Sequence, residues 1–269
     1  MQIDTPLPGA ALSQAGGALH IRDAVKSFGA NRAVDGVSFV AEASKITGLI
    51  GPNGAGKTTL FNAIAGEGPI DSGSITLDGT RIDALKPHRV FSSGLARTFQ
   101  IPRPFGKMSV LENVMLVPQK QAGEKFWNTW VRPGLVARQE RDNLEKARAI
   151  IDFCGLTPVE RQLAGAISGG QQKLVELARA LMANPKIILL DEPGAGVNPA
   201  LLDTIVDRIV ALNKQGITFL IIEHNMDLVM SLCDRIVVMA TGQVIAEGDA
   251  ATIISDTRVV DAYLGGAHA

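Results

Sequence analysis

The sequence predicts an α/β protein: a parallel sheet covered on both faces by helices. Two observations carry this. Short apolar runs at 186–190, 217–222 and 235–239 alternate with helical stretches at 199–214 and 226–233. A further apolar run, 45–50, leads straight into a glycine loop, after which a helix is expected near Lys57, carrying Leu60, Ile64 and Ala65. The chain has 269 residues, 46% apolar and 20% charged, with net charge −1. That is ample material for a buried core. Near-neutral charge argues against a protein held on nucleic acid by phosphate neutralisation.

The elements follow in chain order. Residues 1–17 read as a Pro/Gly/Ala-rich tail without the basic cluster and apolar core of a signal peptide, and 18–269 as a single domain. Residues 18–25 and 36–41 alternate like strands, separated by a turn-rich 27–35. A strand at 73–77 meets Asp78-Gly79, a hairpin signal. From 108 to 162 the character is helical. An amphipathic helix is expected at 142–153, with Leu144, Ala147, Ile150 and Ile151 on one face, and another after Gly170 with Leu174, Leu177, Ala178 and Leu181. Cys154 and Cys233 lack CxxC spacing and read as buried apolar residues in a reducing compartment, neither disulfide nor zinc ligands. No apolar run approaches the ~20 residues needed to span a bilayer, so any work at a membrane goes through a partner.

Gly51-Pro-Asn-Gly-Ala-Gly-Lys-Thr58 fits G-x-x-x-x-G-K-[ST], after a strand and before a helix. Backbone N–H groups of such a loop converge on phosphate oxygens, helped by the positive end of the helix. The nucleotide-binding candidates here are Gly51, Asn53, Gly54, Ala55, Gly56, Lys57, Thr58 and Thr59. Lys57 reaches the β- and γ-phosphates, and Thr58 offers its hydroxyl to Mg²⁺. Further on, an apolar strand ends in Asp191-Glu192, at the carboxyl end where open α/β sheets bind ligands. Asp191 is a candidate for Mg²⁺ and Glu192 for the general base that polarises the attacking water.

Ser168-Gly-Gly-Gln171 opens a helix and, alone, is a capping box. In the order phosphate loop, Ser168-Gly169-Gly170-Gln171, acidic strand, the chain resembles the ATP-binding-cassette (ABC) ATPases over about 19–264. The resemblance implies a phosphate-loop NTPase fold: a three-layer core with an antiparallel β-subdomain and a helical subdomain near 101–170. By the same resemblance Gln100 is similar to the Q-loop glutamine that senses Mg²⁺ and the γ-phosphate. Ser168–Gln171 looks like the signature that contacts the γ-phosphate of an opposite subunit. His224 looks like the switch histidine that holds the γ-phosphate and attacking water, and Phe28 like the aromatic that stacks on adenine. Two departures stand out. Ile167 replaces the usual leucine before the signature. Asn198 replaces the usual aspartate in Gly194-Ala-Gly-Val-Asn198, keeping hydrogen bonding but losing the charge.

The resemblance implies a dimer with a second ABC ATPase subunit, identical or different, membrane permease subunits as partners, and ATP with Mg²⁺. A periplasmic solute-binding protein would be engaged only indirectly. The place is the cytoplasmic face of the inner membrane. Arg97-Thr-Phe-Gln-Ile-Pro-Arg-Pro-Phe105, Glu223-His-Asn-Met226 and Ala262-Tyr-Leu-Gly265 are similar to the ATPases of importers of branched-chain amino acids, urea or amides. An insertion at 117–138, with Phe126, Trp127 and Trp130, fits one ATPase of such importers and reads as local packing or as docking to the membrane partner. The alternatives are the ATPase of another ABC system, such as lipopolysaccharide export, or a soluble non-transport ABC ATPase.

Overall fold

The structure is a computed structural model that describes residues 16–98, 104–118 and 133–265. The chain divides into two compact units. Of the described residues, a sheet unit takes 16–98, 186–195 and 209–265. A helical unit takes 104–118, 133–185 and 196–208.

The sheet unit holds two sheets. Strands β1 (Leu19–Phe28), β2 (Asn31–Ala41), β4 (Ser72–Leu77) and β5 (Thr80–Arg81) form an antiparallel sheet in the order β2-β1-β4-β5. The stretch expected to be turn-rich confines its turn to Gly29-Ala30; around it the chain is strand, with Lys26 paired to Val34, Ser27 to Arg32 and Phe28 to Asn31. Gly36, in the strand expected at 36–41, sits beside a register shift between Ala24 and Lys26, where a bulge re-aims the strand without ending it. Asp78 and Gly79, with φ of 49° and 76°, link β4 to β5 as the hairpin signal required.

The second sheet contains β3 (Ile46–Ile50), β6 (Leu95–Arg97), β7 (Ile187–Asp191), β8 (Thr218–Ile222), β9 (Arg235–Ala240) and β10 (Gln243–Gly248). Its order is β10-β9-β3-β8-β7-β6. Every pairing is parallel except β9–β10, an edge hairpin the sequence reading did not anticipate. Residues of β3, β7 and β8 are buried throughout, as a sheet covered on both faces demands. On one face Leu49, Leu189, Leu220, Ile222 and Val237 pack with Leu60, Phe61 and Ile64 of helix α1 (Lys57–Ile64) and with Ile21, Phe39 and Ile75 of the antiparallel sheet. On the other, Ile50, Ile236 and Val238 pack with Val229 of α7 (Met226–Leu232), Ile253 of α8 (Ala250–Ser255) and Val259 of α9 (Thr257–Gly265). A short α2 (Pro87–Ser92) precedes β6.

The helical unit contains α3 (Val110–Met115), α4 (Pro133–Phe153), α5 (Gly169–Met182) and the start of α6 (Pro199–Lys214). The helix expected at 142–153 is the second half of the longer α4, with Ala147, Ile150 and Ile151 buried. Ser109 and Glu112 form a capping box on α3. Lys146 Nζ donates to Met182 O at 2.9 Å and Asn184 Oδ1 at 2.7 Å, satisfying the last carbonyl of α5. Burial pushes its ammonium down to about 8. Burial also pushes the thiols of Cys154 and Cys233 up to about 12, and neither forms a disulfide. Among the described residues no helix is long and apolar enough to cross a membrane.

Candidate active site

Strand β3 ends at Ile50, and the loop that follows feeds α1 through Gly56. Gly56 has φ 97°, and a Cβ there would come 2.1 Å from Ala33 O; only glycine takes this conformation with a carbonyl so close. No side chain caps α1, so its first N–H groups face the loop without a protein acceptor supplied in that way. Lys57 is 6% exposed, and its Nζ donates to Gly51 O at 2.7 Å and Pro52 O at 3.0 Å. Burial pushes the ammonium below the usual lysine range, while the Glu192 and Asp191 carboxylates work against that.

Asp191 is the last residue of β7 and is buried. Its Oδ2 accepts from Arg97 Nη2 at 3.1 Å. Arg97, on the neighbouring strand β6, also donates to Asn62 Oδ1 at 2.7 Å and pairs with Glu67 at 3.1 Å. Glu192 follows with φ 49°, and its N–H donates to Ile222 O at 2.9 Å. His224 comes just after β8, and its Nε2 lies 3.0 Å from Glu192 Oε1. Beside them Glu223, 4% exposed, accepts from the N–H groups of Gly194, His224 and Asn225.

A cleft of about 600 Å³ gathers most of the predicted residues: Asn53, Gly54, Ala55, Gly56, Lys57, Thr58, Thr59, Glu192, His224 and Phe28. Its volume is in the range of small-molecule sites. Phe28 ends β1 with 61% of its surface exposed, and Lys26 Nζ stands 5.7 Å from its ring centroid. Asn31, Arg32, Ala33, Ile222 and Thr241 complete the lining and were not anticipated. They come from strand ends remote in sequence, and no motif marks them. Gly51 and Asp191 are not among the lining residues; Gly51 contributes its carbonyl to Lys57.

Gln100 and the Trp127 and Trp130 segment lie outside the described residues. Ser168, Gly169, Gly170 and Gln171 belong to the helical unit. There Ser168 Oγ accepts from Gln171 N at 3.3 Å and Gln171 Oε1 accepts from Ser168 N at 3.0 Å, so the capping box is real. Gly169 has open space around it, whereas a Cβ on Gly170 would meet Leu201 Cδ2 at 2.1 Å. Asn198 Oδ1 accepts from Leu201 N at 2.9 Å, making the residue that departs from aspartate a cap of α6.

A divalent ion fits this donor set. Thr58 is exposed and lines the cleft, and Asp191 ends β7, two strands from β3. No group of three or more His, Cys, Asp and Glu able to hold a metal occurs among the described residues. Mg²⁺ suits such a place, because it binds through one or two protein oxygens and takes its other ligands from phosphates and water.

A family model described as ABC transporter matches residues 34–195. A second, branched-chain amino acid ATP-binding cassette transporter, matches 243–269. The chain is 41% identical to the probable branched-chain amino acid transport ATP-binding protein LivG of Archaeoglobus fulgidus, covering 92% of this chain and 95% of that one. It is also 41% identical to the LivG protein of Methanocaldococcus jannaschii, covering 92% and 97%. The lipopolysaccharide export system ATP-binding protein LptB of Haemophilus influenzae is 36% identical, covering 89% and 94%. Among solved structures, a nucleotide-free ATP-binding cassette from an ABC transporter matches with TM-score 0.80 at 39% identity, covering 92% and 98%. A cassette in its ADP conformation matches with TM-score 0.78 at 39% identity, covering 93% and 99%. The chain therefore belongs to the ABC transporter family, as one of its ATP-binding, ATP-hydrolysing cassettes.

Proposed function

We propose that this cassette powers an importer of branched-chain amino acids or related small solutes. The observation that carries the reading is the cleft in which the phosphate loop meets the Glu192–His224 pair. The match of residues 243–269 to a branched-chain amino acid cassette family supports the solute class. In this reading the Phe28 ring stacks on adenine, which needs only an exposed ring face. The loop N–H groups and the Lys57 ammonium hold the β- and γ-phosphates. Glu192 takes a proton from a water whose oxygen attacks the γ-phosphorus, and the bond to the β,γ-bridging oxygen breaks to release ADP and phosphate. His224 holds that water and the γ-phosphate in line. Thr58, Asp191 and Gln100 are the residues that would hold Mg²⁺, which when bound neutralises phosphate charge.

The working form is a pair, identical or mixed, in which Ser168, Gly169, Gly170 and Gln171 of one cassette complete the site of the other. Nucleotide then biases a two-state interface that does work on attached permease subunits. The cassette sits peripherally on the cytoplasmic face of the inner membrane, reaches a periplasmic solute-binding protein only through the permeases, and binds no nucleic acid. The test is to tag the Glu192→Gln protein in its own cell, trap it with ATP, solubilise the membranes and identify what co-purifies. Two related permeases and a second cassette support the importer. Recovery with lipid-export permeases, or with soluble proteins alone, overturns the importer and leaves the ATPase in place.

A further inference from the structure

Glu223 is a buried carboxylate with no task in the chemistry described so far. It is 4% exposed, an expensive place for a charged group unless its oxygens are fully used. They are used on backbone. Oε1 accepts from Gly194 N at 2.7 Å, and Oε2 accepts from His224 N at 3.0 Å and Asn225 N at 3.3 Å. The first donor lies two residues beyond Glu192. The other two flank the His224 side chain. One carboxylate thus ties together the loops that carry the two partners of the 3.0 Å Glu192–His224 contact.

The surroundings make that tie the controlling one. Glu192 is held on its near side by its own N–H, which donates to Ile222 O at 2.9 Å, and the loop beyond it is held by Glu223. Asn225 is anchored a second time, its Oδ1 accepting from Leu228 N at 3.2 Å at the start of α7. His224 itself is 42% exposed at the side chain, so packing does little to fix it. Its place is inherited from the backbone that Glu223 holds.

We propose that Glu223 is a positioning residue for ATP hydrolysis, clamping the 192–195 and 223–225 loops so that Glu192 and His224 stay in register. This rests on the ATPase reading of the site given above. Reacting groups displaced by ~1 Å lose on the order of a hundredfold in rate, whereas nucleotide affinity, set by the phosphate loop, does not pass through this clamp. In Glu223→Gln the amide keeps one acceptor oxygen and turns an NH₂ donor toward a backbone N–H, so one arm of the clamp opens.

The experiment is a double-mutant cycle on the purified full chain: parent, Glu223→Gln, His224→Ala and the double variant, with kcat, KM for ATP, fluorescent-nucleotide affinity and melting temperature measured for each. The expected result is a loss in kcat of about tenfold to a hundredfold for Glu223→Gln, with KM and nucleotide affinity changed less than about threefold. In the His224→Ala background, where the pair no longer exists, that loss shrinks severalfold, because residues acting through one another are not additive. Equal losses in both backgrounds, or a lowered melting temperature with kcat intact, overturns the proposal. Should Glu223→Gln fail to fold, Glu223→Asp, which withdraws the carboxylate by one methylene, is read in the same cycle against the same criteria. A parent chain that hydrolyses no ATP defeats the functional reading itself, a separate outcome from additivity in the cycle.

Discussion

Two glycines of the phosphate loop, two residues apart, answer differently to the same added methyl. Gly54 and Gly56 have φ of 80° and 97°, so alanine at either strains the backbone by about 1–2 kcal/mol. Their neighbours differ. A Cβ on Gly56 comes 2.1 Å from Ala33 O and 3.2 Å from Ala33 C, backbone atoms that cannot rotate aside. Overpacking of that kind adds about 1–3 kcal/mol, for a total of roughly 2–5 kcal/mol against the fold. A Cβ on Gly54 meets nothing within 4 Å and projects where the loop lines the cleft, so Gly54→Ala costs only the conformational strain. Its damage falls on the space a phosphate would occupy. Urea titration therefore separates the pair by at least about 1 kcal/mol, with Gly56→Ala the weaker protein. Fluorescent-nucleotide binding, measured where both are folded, should be lost in Gly54→Ala. Equal destabilisation, or full nucleotide affinity in Gly54→Ala, refutes the assignment of one glycine to packing and the other to ligand space.

Other outcomes follow from the same geometry. Glu192→Gln keeps a hydrogen-bonding partner for His224 and should bind ATP as the parent does, while kcat falls by about 10²–10⁴, the span of general-base catalysis; hydrolysis near the parent rate removes Glu192 from the mechanism. Arg97→Met leaves Asp191 buried without its 3.1 Å partner and should cost about 3–5 kcal/mol in chemical denaturation. That cost should shrink when Asp191→Asn is combined with it. Lys146 has a folded-state value near 8, below that of a free lysine. Its ammonium is thus disfavoured by folding, and stability rises with pH from about 8 up to the ordinary lysine range. Compared with Lys146→Met, the parent should gain stability between pH 7 and pH 10 in parallel urea melts; a difference that does not move with pH contradicts the burial of that charge.

What could be read from the sequence was what the chain writes contiguously. The phosphate loop, the acidic pair ending β7 and the Ser168 cap are local patterns whose backbone chemistry needs no distant partner, and each falls on the element expected for it. Arg97 and Glu223 could not be singled out that way. Arg97 matters because β6 lies beside β7, and Glu223 because β8 does, and strand order is not visible in one sequence. A charged residue at the carboxyl end of a short apolar strand is the available signal: Glu223 carries it after the run 217–222, whereas Arg97 follows only Leu95 and Ala96. The misread start of β2 has a similar cause. Asn31 and Asp35 are turn formers in isolation, yet cross-strand pairing with β1 outweighs local preference. Asn198 shows the converse: a departure from its family pattern that keeps a plain local role, capping α6 as an aspartate would.

The two native cysteines have a practical bearing on how the cassette's motions can be followed. Burial pushes both thiols up to about 12, which disfavours the reactive thiolate at neutral pH. A single cysteine introduced at an exposed site away from the proposed nucleotide contacts, such as Asp142 on α4, would outcompete them for a maleimide label, leaving the natural cysteines in place. Spectroscopic rulers could then be attached with the native cysteines left in place, and the pairing proposed for two cassettes followed as nucleotide is added and hydrolysed.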